Sequence, residues 1–109
     1  MNQTHQSLFS LAGKVIVITG AAGLLGRQHT EAVARAGGVP VLLDINDAAV
    51  VQMAEQVSAD FSVAASGWAV DITDEASIER NCATIVKQYG HLDGLVNNAA
   101  NNPKMESSG

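Results

Sequence analysis

Apolar positions along the chain alternate between two rhythms. Lys14-Val-Ile-Val-Ile-Thr19 is an unbroken β-branched run, which suits a strand buried on both faces. Gly20-Ala-Ala-Gly23 interrupts it. From Leu24 to Ala36 the spacing turns helical, with Leu25, His29, Ala32, Val33 and Ala36 three and four apart, and Gly37-Gly38 stops the helix. Val39 to Asp44 is a second apolar run, with Pro40 near its start, where a missing N–H is tolerated. Asn46 or Asp47 caps a helix to about Ser58 with Val50, Met53, Ala54 and Val57 inward. Residues 59–67 read as a loop, and Trp68-Ala-Val-Asp-Ile72 as a third strand. Thr73 or Asp74 caps a helix carrying Ile78, Cys82, Ile85, Val86 and Tyr89, closed by Gly90. His91 to Asn97 is a fourth strand, and the segment from Asn98 to Gly109 is polar without periodicity.

Strands alternating with helices, β-α-β-α-β-α-β, predict right-handed crossovers, a parallel sheet and the α/β class. The expected strand order is 3-2-1-4. The reversal after strand 3 opens a crevice at the carboxyl ends of strands 1 and 4, where ligands bind in open sheets. The chain divides into a tail (1–12), one folded half-domain (13–100) and a polar segment (101–109). Its 109 residues allow a single domain, and 47% hydrophobic content is globular. A formal charge of −5 without basic clusters disfavours nucleic acid and anionic membranes. One cysteine, Cys82, excludes an internal disulfide and fits a reducing compartment. No apolar run approaches the roughly 20 residues that span a bilayer, and residues 1–10 carry no signal-peptide pattern, so a soluble cytoplasmic protein is expected.

Candidate chemistry centres on Thr19-Gly20-Ala21-Ala22-Gly23-Leu24-Leu25-Gly26, which leaves a strand and opens a helix. Gly20 permits the tight turn, Gly23 removes a side chain where backbone approaches phosphate, and Gly26 lets helix pack on sheet. The helix start offers free N–H groups and a positive dipole end to a diphosphate. Asp44 ends strand 2, 18 residues after Gly26, where a carboxylate accepts from the adenosine ribose hydroxyls of NAD and repels the 2′-phosphate of NADP. No cation in Ile45-Asn46-Asp47 offsets that charge. The rival readings are a turn that merely needs glycine and an aspartate that merely caps a helix.

The glycine segment, Asp71-Ile72 and Asn97-Asn98-Ala99-Ala100, in this order and spacing, make the chain resemble the N-terminal portion of short-chain dehydrogenases/reductases over about residues 8–103. The resemblance implies a Rossmann-type NAD(P)-binding half-domain. It implies a diphosphate cradled by Gly20, Ala22, Gly23, Leu24, Leu25 and Gly26, and a ribose held at Asp44 beside Ile45. Asp71 would accept from the adenine amino group and the Ile72 N–H would donate to the ring. Asn98, Ala99 and Ala100 would line the adenosine side, and Asn97 would tie strand 4 to its neighbours. Two positions depart from the single-domain branch: Leu24 stands where it has glycine, with Gly23 one place earlier as in the extended, sugar-nucleotide-modifying branch, and Ala100 replaces another glycine.

The family's proton relay uses a Tyr and a Lys four residues apart, with a Ser and an Asn, downstream of the Asn-Asn-Ala segment. Tyr89 has Asp93 four residues on, so no catalytic residue is assigned within 1–109. His5, His29 and His91 lack metal-site spacing, Cys82 reads as a core thiol, and Arg27 reads as a helix-surface arginine that could face phosphate. Asn101, Asn102 and Lys104 read as a polar loop. The expected function is the NAD-binding part of an oxidoreductase, with NADP second, cut short and without turnover alone. Alternatives are a non-catalytic module associating through the edge of strand 4, as a homo-oligomer or with a missing C-terminal half, and a fragment of an extended-branch epimerase or dehydratase.

Overall fold

β-Branched residues restrict χ1 and favour the pleated conformation, and Val15-Ile-Val-Ile-Thr19 is the central strand of the sheet. The computed structural model describes residues 10–98. Within them β1 (Val15–Thr19), α1 (Leu24–Arg35), β2 (Val39–Asp44), α2 (Asp47–Phe61), β3 (Ser66–Ala69), α3 (Glu75–Tyr89) and β4 (Gly94–Asn97) follow in turn. The strands are all parallel, in the order β3-β2-β1-β4 that the alternation predicts.

The period of two sends successive β-residues to opposite faces. Ile18 and Leu42 pack beneath Val33 and Ala34 of α1 and Val50, Met53, Ala54 and Val57 of α2. Val15, Val17, Val41 and Leu43 pack on the other face with Val70 and Ile85. Burial on both faces is why these strands read as continuous apolar runs rather than alternating ones.

Helix boundaries follow their caps. Asn46 Oδ1 accepts from the Ala49 N–H to start α2, and Asp74 accepts from the Ala76 N–H and the Ser77 hydroxyl to start α3. Gly37 (φ 91°) and Gly90 (φ 89°) take the left-handed turn after α1 and α3. The α2 exit escapes the pattern: the helix runs to Phe61, past the expected Ser58, and ends on Ser62 at φ 56°. No glycine marks this stop. The Ser58 hydroxyl instead exchanges hydrogen bonds with Ala65 N–H and carbonyl, which returns the chain early, so β3 begins at Ser66 rather than Trp68. Asp71 and Ile72 consequently lie in the loop after β3, not at its end.

Two helix faces are rotated from expectation. On α1 the buried residues are Gly26, Thr30, Val33 and Ala34, while Ala32 is exposed and Leu25 is half in solvent. On α3 Asn81 and Ile85 are buried, and Val86 is exposed. Leu95 on β4 is also exposed at 53%, as expected for a strand with one neighbour.

Gly67 explains how closely β3 approaches α2: a Cβ there would lie 2.4 Å from the Val50 carbonyl oxygen, a backbone atom that cannot swing away. Gly67→Ala should therefore lower the urea unfolding free energy by about 1–3 kcal/mol. An unchanged midpoint would contradict this packing.

Asp93 brackets the opposite side of the sheet. Its carboxylate accepts from the Val15 N–H at 2.8 Å and meets His91 Nδ1 at 2.6 Å, and its own N–H donates to the Val15 carbonyl. The Val15 bond, with smaller help from His91 and Lys14, holds this carboxyl below the usual carboxylate range. A folded value below the unfolded one contributes stability above the unfolded value, about pH 4, and loses it as pH falls through the folded one. Asp93→Asn keeps an acceptor but removes the titration. Its urea midpoint should fall less steeply than that of the parent between about pH 5 and pH 2, and parallel curves would sink the assignment.

Candidate functional site

At the carboxyl end of β1 the chain must reverse into α1 within four residues, and each glycine there answers a different constraint. Gly20 has φ 64°, a region that side-chain-bearing residues seldom adopt. A Cβ on Gly26 would sit 2.3 Å from the Gly20 carbonyl oxygen and 2.7 Å from the Ala21 Cα, so only glycine lets the helix start this close to the strand. Gly23 is different: a Cβ there meets nothing nearer than Gly20 O at 3.7 Å, and its backbone is extended. The fold itself does not require glycine at 23.

The helix start is bare. α1 has no side-chain N-cap bond and no acidic residue in its first turn, whereas α2 and α3 have both. The Gly23 N–H donates to the Gly20 carbonyl at 3.3 Å, while the N–H groups of the exposed Leu24 and Leu25 have no partner among the described residues and face outward with the positive end of the helix dipole. Leu24 and Leu25, at 78% and 51% exposure, extend into solvent beside them.

The Asp44 carboxylate lies across this turn. Oδ2 accepts from the Ala22 N–H at 3.0 Å and Oδ1 from the Asn46 N–H at 3.1 Å. Asp44 therefore braces the glycine turn and the approach to α2 without capping that helix, whose N-cap is Asn46. Each carboxylate oxygen retains a further acceptor direction, so bracing and ligand binding are compatible. Ile45 next to it is 69% exposed.

Thr19, completely buried, donates from Oγ1 to Asn97 Oδ1 at 2.8 Å. This bond draws the ends of β1 and β4 together where the crevice opens, and realises the expected tie between Asn97 and its neighbour. Its partner Thr19 was not singled out in the sequence, although a threonine ending a β-branched run beside Gly20 was the available signal. Asn98, next along, has both side-chain amide atoms buried without a hydrogen-bond partner among the described residues. Ala99 and Ala100 lie outside the described residues. Asp71 Oδ1 accepts from the Thr73 hydroxyl at 2.6 Å and the Thr73 N–H at 3.0 Å; these bonds, the hydroxyl first, hold its carboxyl below the ordinary range, and Oδ2 has no partner among the described residues.

Arg27 turns away from the glycine turn toward α2, with Nε 3.4 Å from Glu31 and a terminal nitrogen 3.3 Å from Gln56 Oε1. Burial, with Glu79 nearby, pushes the Cys82 thiol up, which opposes thiolate chemistry. The Tyr89 hydroxyl donates to the Ala64 carbonyl at 3.1 Å and lies 3.0 Å from the Ser66 hydroxyl, a packing role. Among the described residues no group of three or more His, Cys, Asp and Glu side chains is placed to hold a metal ion, and no helix is long and apolar enough to cross a membrane.

These features coincide with known proteins. The short chain dehydrogenase family model matches residues 14–108. A sorbitol dehydrogenase of Cereibacter sphaeroides is 41% identical over 90 residues, covering 83% of this chain and 34% of that protein. Among solved structures, L-sorbose reductase from Gluconobacter frateurii, complexed with NADPH and L-sorbose, superposes with a TM-score of 0.77 at 28% identity, over 83% of this chain and 34% of that one. An NAD⁺-bound xylitol dehydrogenase gives 0.71 at 30% identity, over 77% and 32%. The chain belongs to the short-chain dehydrogenase family, and spans about a third of the length of these relatives.

Because Asp44 braces two backbone donors, Asp44→Ala should cost about 1–2 kcal/mol of stability even without ligand. Thermal unfolding of the unliganded chain checks this, and an unchanged midpoint would mean the two bonds contribute nothing.

Proposed function

We propose that the chain is the dinucleotide-binding part of an NAD-dependent oxidoreductase. The observation that carries this reading is Gly23: the fold leaves room for a side chain there, so its absence is explained by a ligand approaching the backbone. The bare N-terminus of α1 supports the same reading, because the other two helices cap theirs. The diphosphate rests against the Gly20–Gly26 turn on the backbone N–H groups of Leu24 and Leu25 at the start of α1, since those of Ala21, Ala22 and Gly23 already donate within the fold. Asp44 accepts from the adenosine ribose hydroxyls beside Ile45. Asp71 Oδ2 accepts from the adenine amino group, and the Ile72 N–H donates to the ring. Asn98, with Ala99 and Ala100, lines the adenosine side.

NAD supplies the hydride acceptor and donor for an alcohol or carbonyl substrate. The residues of this chain bind and orient it; no pair here matches a Tyr and Lys four apart, so proton relay belongs to other residues of the whole enzyme. NAD is favoured over NADP because the Asp44 carboxylate opposes a phosphate on the same ribose.

Calorimetric titration with NAD tests the proposal. The chain should bind NAD, Asp44→Asn should weaken binding about tenfold or more, and Gly23→Val should abolish it. Gly23→Val should cost no more than about 1 kcal/mol of stability, since only the cap preference changes. Equal NAD affinity in Gly23→Val and parent would overturn the reading. Gly26→Val is an unsuitable probe, because it breaks the packing of helix on strand.

A further inference from the structure

Asp93–Gly94 is the one Asp–Gly or Asn–Gly step in the sequence. Such a step is chemically labile, because glycine has no side chain to shield its amide nitrogen and leaves the backbone free to fold onto the preceding carboxyl. Here the step opens β4, whose one neighbour in the sheet is β1. The Asp93 N–H donates to the Val15 carbonyl at 2.8 Å, so the next N–H along, that of Gly94, points away from β1. The Asp93 carboxyl is held through a single oxygen: Oδ2 accepts from the Val15 N–H at 2.8 Å and meets His91 Nδ1 at 2.6 Å. Lys14 is the further cation acting on it. The Asp93 and His91 side chains are 28% and 49% exposed, so water reaches the step.

We infer that Asp93–Gly94 is a site of spontaneous isomerisation to isoaspartate, gated by the clamp that Val15 and His91 place on the Asp93 carboxyl. In the reaction the Gly94 nitrogen bonds to Asp93 Cγ. One carboxyl oxygen leaves as water, taking the amide proton and a proton from solvent. The cyclic imide then takes up water and returns that proton. Opening at the Asp93 main-chain carbonyl leaves the backbone running through Cβ and Cγ, with no electrons exchanged and no change in mass. The Val15 bond keeps Oδ2 charged and turned toward β1, so ring closure waits until the start of β4 parts from β1. Isoaspartate adds a carbon to the main chain just before the Ile16–Gly94 register pair, which breaks the reciprocal Val15–Asp93 bonds and shifts Asn97 from Thr19 at the other end of the strand.

Incubation of the full chain at fixed pH and temperature tests this, with isoaspartate read by peptide mapping as lost cleavage before residue 93 by an Asp-specific endoproteinase. Isoaspartate should accumulate at Asp93 ahead of every other aspartate, and faster in urea than in buffer. His91→Ala should speed accumulation in buffer about two- to fivefold and leave the rate in urea unchanged. Gly94→Ala, whose added carbon meets only the movable end of Ile16 at 3.0 Å, should slow it in both. Gly67→Ala separates local from global opening: it weakens the fold away from the clamp, and should leave the rate in buffer unchanged. Four results would each overturn the inference. They are equal rates in buffer and urea, no effect of His91→Ala, an acceleration by Gly67→Ala that matches its loss of stability, and no isoaspartate at residue 93 in either condition.

Discussion

The first turn of α1 rests on the last carbonyl of the β1 exit, with Gly26 so close to Gly20 that a single added carbon would lie 2.3 Å from its oxygen. That contact dictates where the helix starts and how it is rotated. With Gly26 against the sheet, Thr30, Val33 and Ala34 follow it inward, and Leu24 and Leu25 are turned out to solvent. The same approach holds the unpaired N–H groups of the helix start at the end of the central strand, where a parallel sheet has its ligand crevice. The anion binding that we propose at this turn is then a by-product of close packing.

The polar groups around the turn serve structure and site together. Asp44 accepts from the backbone N–H groups of Ala22 and Asn46, so its carboxylate is already fixed before any ligand arrives. Thr73 fixes one Asp71 oxygen and leaves the other open, and Thr19 fixes Asn97. Side chains held by such bonds lose little further freedom on binding, which lowers the entropic cost of recognition. The cost appears elsewhere: a substitution at Asp44 disturbs the fold as well as the proposed ligand, whereas one at Gly23, which the fold does not need as glycine, disturbs the fold little.

Much of this was legible in the chain because the signals are local. The β-branched run at 15–19, the helix caps at Asn46 and Asp74 and the stops at Gly37 and Gly90 all act through neighbouring backbone. The strand order followed from the alternation of elements and the handedness of crossovers. What escaped was set by contacts distant in sequence or by a residue in an unusual conformation. Ser62 ends α2 without glycine, the Ser58–Ala65 bonds start β3 early, and Gly67 presses β3 against α2. The cleft between α1 and α2, lined by Ala22, Arg27, Met53 and Gln56 among others, needs two helices side by side, which periodicity cannot reveal.

From its sequence alone, the chain determined its alternating elements, its parallel sheet and the candidate turn with its acid at position 44, because residue volume, β-branching and glycine freedom act over a few residues. The tertiary structure alone decided which of the three glycines packing demands, where Arg27 points, and that Asp44 is braced before it binds anything. Those outcomes depend on distances between atoms far apart in the chain, which are set only when helix, strand and turn are packed together.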